Sequence, residues 1–338
     1  MKMTARKDRI LASVVRGFVR SGEPVGSKLI AEEIGVSSAT VRNEMAELID
    51  LGLLEQPHTS AGRVPSQRGY REFIDRLMTV PPVSKAEKSR FDAALAMAAF
   101  DPERILSCVC RLLSESSQYS AVVTTPSGAS ALIKAVQFAQ TSRRTAMLLL
   151  ISSAGTMKTR VFHCDFDLSP EILRVFFRLF NERLAGKAVA DVTPAFLQSM
   201  AVSCGDMMAL VGSALGALKE AATETRETEV LCSGQMNLLF YPELHARPIM
   251  DLLERKADLV ELLKGRPGKC SVLLGSETGR VELNGAAVLS SRYAVAGQDA
   301  GALAVIGPMR MDYPRLSAAI SYLSQEVGAM LTRLLTEE

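Results

Sequence analysis

Gly35-Val36-Ser37 is a very short connection between two amphipathic segments, and it restricts the first fifty residues to very few arrangements. Upstream, residues 28–34 read as a short helix that Ser27 can cap and Gly35 can end. Downstream, residues 38–51 place Val41, Met45, Leu48 and Ile49 on one helical face. Two helices joined this closely form a helix-turn-helix. Ala31 is small where the helices touch, Gly35 suits a left-handed turn, and Val41 serves as the apolar plug. Glu44 stands where another apolar residue would be expected. A preceding helix over residues 7–21 supplies Ile10, Leu11, Val14, Val15 and Phe18 as its buried face before Gly22 and Pro24 end it.

The second helix of the motif begins with Ser37, Ser38, Thr40, Arg42 and Asn43, so its N-terminal half lacks bulky apolar side chains and can enter a major groove. Arg bridges the two acceptors of guanine, and Asn donates to adenine N7 while accepting from its N6–H, each good bidentate pair giving about 1–3 kcal/mol of discrimination. Serine and threonine more often bind phosphate, and Lys28 adds a cation at the start of the first motif helix. After Leu51-Gly52, residues 53–56 read as a strand, 57–63 as a polar loop and Val64 as the return strand, a hairpin wing. His58, Thr59, Ser60 and Arg63 are its candidate contacts, with Arg68 and Arg71 following on the next helix, 67–78. These residues are expected to bind double-stranded DNA.

Charge neither demands nor excludes such a partner, since 39 Lys and Arg oppose 37 Asp and Glu over 338 residues, and 12 oppose 10 within residues 1–80. Any nucleic-acid surface must be local. The length suits a small head and a larger body. Six cysteines without a C-x-x-C pair, and a start (MKMTARKDRIL) lacking a signal peptide's apolar core, predict a reduced, cytoplasmic setting. The longest apolar run, 146–151, is far shorter than the ~20 residues that cross a bilayer, so no membrane association is expected.

Behind the head, Pro81-Pro82 marks a boundary and residues 84–117 read as two linking helices separated at Asp101-Pro102. Strands are expected over 119–125, 132–138, 145–152 and 158–164, forming a sheet that resumes near Ser271 with 272–274, 292–296 and 302–306. Helices over 170–184 and 195–222 interrupt it, and a last helix spans 314–335. Gly307-Pro308 with Arg310 and Asp312 reads as a turn between the last strand and helix, the alternative being a functional loop. Gly275-Ser276-Glu277-Thr278-Gly279 lacks a P-loop's lysine and following helix, and reads as a strand-ending turn. His58, His163 and His245 lie far apart, without zinc spacing. No nucleophile with a base and no paired carboxylates appear in a recognisable frame, so neither an enzyme, a cofactor nor a metal is expected.

Three strings carry a specific resemblance: GEPVGSK (22–28), SSATVRN (37–43) and QPHTSAGR (56–63). Together with VIGPMRMDY (305–313) they resemble the head and C-terminal signatures of the heat-inducible transcription repressor family HrcA, across the whole chain. The resemblance implies a repressor of chaperone operons that binds an inverted repeat called CIRCE as a homodimer, its activity maintained by the GroE chaperonin. It also implies an α+β fold: an N-terminal winged helix-turn-helix, then a GAF-like α/β domain interrupted by an inserted, mainly helical dimerising domain. On that basis the expected divisions are residues 1–80 for the head, 81–117 for linking helices, 118–165 and 235–338 for the GAF-like domain, and 166–234 for the insert. Two other readings remain, a small-ligand-sensing regulator with a different operator and a protein-docking module built on the same head.

Overall fold

The computed structural model describes residues 3–58, 62–99, 101–126, 128, 131–203, 205, 208–264 and 270–336. In chain order, α1 (Ala5–Ser21), α2 (Ser27–Ile34) and α3 (Ser38–Asp50) are followed by a small hairpin, β1 (Leu54–Glu55) and β2 (Val64–Pro65). Next come α4 (Gln67–Glu72), which continues into a π-helical turn, Phe73–Leu77, then α5 (Lys85–Ala96) and α6 (Pro102–Ser117). The strands β3 (Ser120–Thr124), β4 (Ile133–Ser142), β5 (Thr145–Ser152) and β6 (Met157–His163) lead to α7 (Pro170–Leu184), α8 (Pro194–Ser203) and α9 (Met208–Arg226). The chain ends with β7 (Val230–Ser233), α10 (Ala246–Glu254), α11 (Lys256–Leu262), β8 (Ser271–Leu274), β9 (Ala286–Val295), β10 (Gln298–Pro308) and α12 (Tyr313–Thr336). It divides into two compact units: residues 1–123, 231–293 and 302–327, and residues 124–230, 294–301 and 328–338.

The first unit opens with the three-helix head. Thr4 caps α1 by accepting from the Lys7 N–H, and Gly22 closes it at φ 72° in the left-handed region. Ile10, Leu11, Val14, Ile30, Val41 and Leu48 are buried where α1, α2 and α3 meet, each contributing about 1.5–3 kcal/mol of transfer free energy. The body of this unit is built on a five-stranded sheet ordered β7-β3-β10-β9-β8. Its centre is apolar on both faces, as Leu303, Ala304, Val305 and Ile306 of β10 are all buried beside Ala121, Val122 and Val123 of β3. Val109, Leu112 and Leu113 of α6 and Leu316, Ile320 and Leu323 of α12 are buried as well.

The second unit holds its own antiparallel sheet, β4-β5-β6, against which α7 and α9 pack. Burial alternates strictly along β5, the mark of a sheet with one covered face. Phe138, Phe162, Phe176 and Phe180 cluster there with ring centroids 5.1–6.4 Å apart. Asn181 fixes α7 to β4 through both backbone groups of Val136, accepting from its N–H at 2.9 Å and donating to its carbonyl at 2.7 Å.

The expected single sheet running through residues 119–164 is therefore two sheets. β3 joins the first and β4 to β6 form the second, and the expected division near residue 165 falls inside one hydrophobic core, which spans Ile133 to Ala222. Strand propensity cannot distinguish these memberships, because pairing partners are chosen by tertiary packing. The expected helix over 195–222 is likewise two helices, α8 and α9, with Gly205 between them at φ 52°.

Candidate nucleic-acid interface

The polar start of α3 performs two tasks. Ser37 caps the helix by accepting from the Thr40 N–H at 3.1 Å, and its hydroxyl lies 2.8 Å from that of Thr40. The Ser38 hydroxyl lies 2.9 Å from that of Ser27, tying α3 to α2. Three of the predicted contact residues thus also hold the motif together, and the Ser37–Thr40 bond uses one of that pair's two O–H protons, leaving the other to donate to a phosphate. Gly35 completes the turn at φ 79°.

Arg42 and Asn43 differ from these. Both are exposed, and neither side chain makes a hydrogen bond or ion pair with another described residue. They project from the first turns of α3, where the positive end of the helix dipole favours a phosphate backbone. Glu44, the apparent misfit, points inward. Its carboxylate accepts from Arg6 Nε at 2.8 Å and Nη2 at 2.6 Å, and Lys7 pairs with Glu47 at 2.6 Å on the neighbouring turn. An acid on the packing face of α3 is thereby neutralised from α1, leaving the outer face of α3 to Arg42 and Asn43. Lys28 is exposed at the start of α2.

The wing is anchored by backbone. Val25 and Arg63 exchange N–H···O bonds of 2.9 Å in each direction. A Cβ at Gly62 would lie 2.5 Å from the Val25 carbonyl oxygen, so only glycine allows the return strand this close. Arg63 is half-buried and donates to the Gly62 carbonyl at 3.3 Å, while His58 is exposed. Thr59 and Ser60 lie outside the described residues.

The two arginines of α4 separate. Arg68 is exposed, with Nη1 3.0 Å from where a Gly52 Cβ would stand. Arg71, expected alongside it as a backbone contact, is instead committed within the chain: it forms an ion pair with Glu277 and donates to the Val272 carbonyl at 2.7 Å. Burial pushes the Glu277 carboxyl up, but the Arg71 bond, the Leu274 N–H and the Arg71 charge together hold it below its ordinary value. One turn earlier, Gln67 reaches the same segment, donating to the Leu274 carbonyl at 2.9 Å and to Ser276 at 3.1 Å. Sequence reasoning missed this pairing of α4 with the Gly275–Gly279 turn, and no local pattern signals a contact some 200 positions away.

Among the described residues, no helix is long and apolar enough to cross a membrane. Two family models match the chain. Residues 2–76 match the winged helix-turn-helix transcription repressor, HrcA DNA-binding model, and residues 103–316, more than half the chain, match the HrcA protein C terminal domain. The heat-inducible transcription repressor HrcA of Acidothermus cellulolyticus is 35% identical, the alignment covering 96% of this chain and 98% of the relative. That of Desulforudis audaxviator is 32% identical, covering 99% of both. A solved structure described as a hypothetical protein at 2.2 Å resolution shares the fold, with a TM-score of 0.70 at 24% identity over 98% of this chain and 100% of that one. A winged head with an exposed polar face on α3, followed by a body that matches throughout, leaves one assignment: the chain belongs to the HrcA family of heat-inducible transcription repressors.

Proposed function

We propose that this repressor acts in the cytoplasm as a homodimer on an inverted-repeat operator of the CIRCE type, controls chaperone operons, and has its active form maintained by the GroE chaperonin and lost on heat stress. The observation that carries the reading is the outer face of α3, where Arg42 and Asn43 are exposed and unpartnered among the described residues. Lys28, Ser37, Ser38, Thr40, His58, Thr59, Ser60, Arg63 and Arg68 are assigned to positioning on phosphate, with base readout left to Arg42 and Asn43.

A single head covers one half-site. Tethering two makes the second contact effectively intramolecular, raising affinity without new chemistry. We assign the tether to the second unit, whose β6 leaves Met157 59% and Val161 64% exposed on one face. The five-stranded sheet with α6 and α12 is assigned as the GAF-like body. Heat acts through the population of the competent form, because each 1.4 kcal/mol lost there lowers apparent affinity roughly tenfold.

The test is operator binding by the purified chain before and after heating, with and without chaperonin. Binding that falls on heating and returns with chaperonin supports the reading. Equal binding in all four conditions removes it.

A further inference from the structure

The strand β8 is an edge of its sheet, and an edge strand presents unpaired carbonyls on its open side. Its other side pairs with β9, Val272 opposite Leu289 and Leu274 opposite Ala287. Val272 and Leu274 are two residues apart, so their carbonyls face the same way along the strand. These are the two carbonyls taken by Arg71 and Gln67 of the head, at 2.7 and 2.9 Å. Gln67 and Arg71 are themselves four apart, hence on one face of α4.

The turn after β8 is shaped for the same contact. Glu277 receives the Leu274 N–H at 2.9 Å and at the same time holds the Arg71 guanidinium on both carboxylate oxygens, Nε at 3.1 Å to one and Nη2 to the other. Asp75 accepts from Arg71 Nη1 at 3.2 Å, so the guanidinium is held from several sides. A planar fork held in this way fixes direction as well as distance. Gly275, at φ 45°, lets Gln67 lie within 2.8 Å of where a Cβ would be. Around this core Tyr70 meets Tyr313 edge-on at 6.1 Å, and the Arg310 guanidinium, paired with Glu243, lies 3.5 Å from where a Gly22 Cβ would be. Loose attachment of the head to the sheet would need none of this directional bonding.

We propose that Gln67 and Arg71 are positioning residues that lock the winged head on the edge of β8, and that this lock sets which spacing between two half-sites the repressor accepts. The proposal rests on the paired, inverted-repeat reading given above. With each head fixed on its body, two α3 helices meet DNA at a defined separation. With the lock open, each head swings on residues 78–84 and the separation is no longer defined.

The experiment compares the wild-type chain with Glu277→Ala and Gln67→Ala on a single half-site duplex, and on inverted repeats whose spacer is changed in steps of about 2 bp, each turning one half-site about 70° around the helix axis. Glu277 lies outside the DNA-contacting head, so its removal reaches DNA only through the lock. The expected result is unchanged half-site affinity with the wild-type preference for one spacer reduced about tenfold. Wild-type half-site affinity also reports that the head is folded. If Glu277→Ala does not fold, Gln67→Ala keeps the ion pair while removing the contacts to Leu274 and Ser276, and the same reduction is expected in smaller degree. Retention of the wild-type spacer profile in the folded variants overturns the lock alone. A wild-type chain with no spacer preference overturns both the lock and the paired reading.

Discussion

The winged head carries arginines on two faces in opposite circumstances. On α3, Arg42 is exposed with no partner among the described residues; on α4, Arg71 is bonded to a backbone carbonyl of β8 and a carboxylate of the turn after it, within the same compact unit. Moving Arg71 to a phosphate would exchange one set of charge-assisted bonds for another and expose an edge carbonyl, so little is gained. Arg42 has nothing to give up. In a head with nearly balanced charge, what folding does with each guanidinium therefore separates Arg42 from Arg71, where the density of basic residues does not.

Both faces depend on one frame, and the largest effect is expected where that frame is tightest. A Cβ on Gly69 of α4 would lie 2.0 Å from the Leu53 carbonyl oxygen at the base of the wing, a backbone atom that cannot turn aside. Gly69→Ala gains about 1 kcal/mol of helix propensity, but the clash outweighs it and the head loses more than about 3 kcal/mol. Denaturant unfolding should show this, together with loss of operator binding. Wild-type stability would mean that α4 and the wing are not packed as described.

A smaller effect is expected on the inner side of α3. Arg6→Ala strips the bonded partner from Glu44, whose side chain is 10% exposed, while Arg6 itself is 51% exposed and partly screened. The net cost is about 1–2 kcal/mol of stability. Half-site contacts by Arg42 and Asn43 should persist at temperatures where the variant is folded, which sharpens the distinction between the inner and outer faces of the helix.

The smallest effect belongs to the docked face. Folding holds the Glu277 carboxyl below its ordinary value of 4.5, so its stabilising contribution is present above that pH and lost as pH falls through the lower folded value. Because the Arg71–Glu277 pair is about a third exposed, the contribution is below about 1 kcal/mol. Thermal melts of wild type and Glu277→Gln should differ at pH 7 and converge in acid. A constant difference across that range would place the contribution of Glu277 elsewhere than in its charge.

Most of the head could be read from sequence because its determinants are local. Glycine at 35, apolar residues at helical spacing and a capping serine each act within a few positions. Glu44 was legible only as an anomaly, since its partner Arg6 lies 38 residues earlier. The body was legible as elements but less so as sheets: β3 pairs with β10 across about 180 residues, while β4, next in sequence, pairs with β5. The contact of α4 with β8 lies beyond reach for the same reason, although the Gly275–Gly279 segment ends a strand as its composition predicts.

The most direct measurement is a salt-titrated shift assay on a CIRCE-type inverted repeat and a scrambled control, comparing wild type with the Arg42→Ala, Asn43→Ala double variant. Wild type should prefer the repeat, and the double variant should lose about 2–6 kcal/mol of that preference per half-site while retaining a salt-sensitive, non-specific component. Equal binding of wild type to repeat and scramble, or an unchanged preference in the double variant, would contradict operator readout by the outer face of α3.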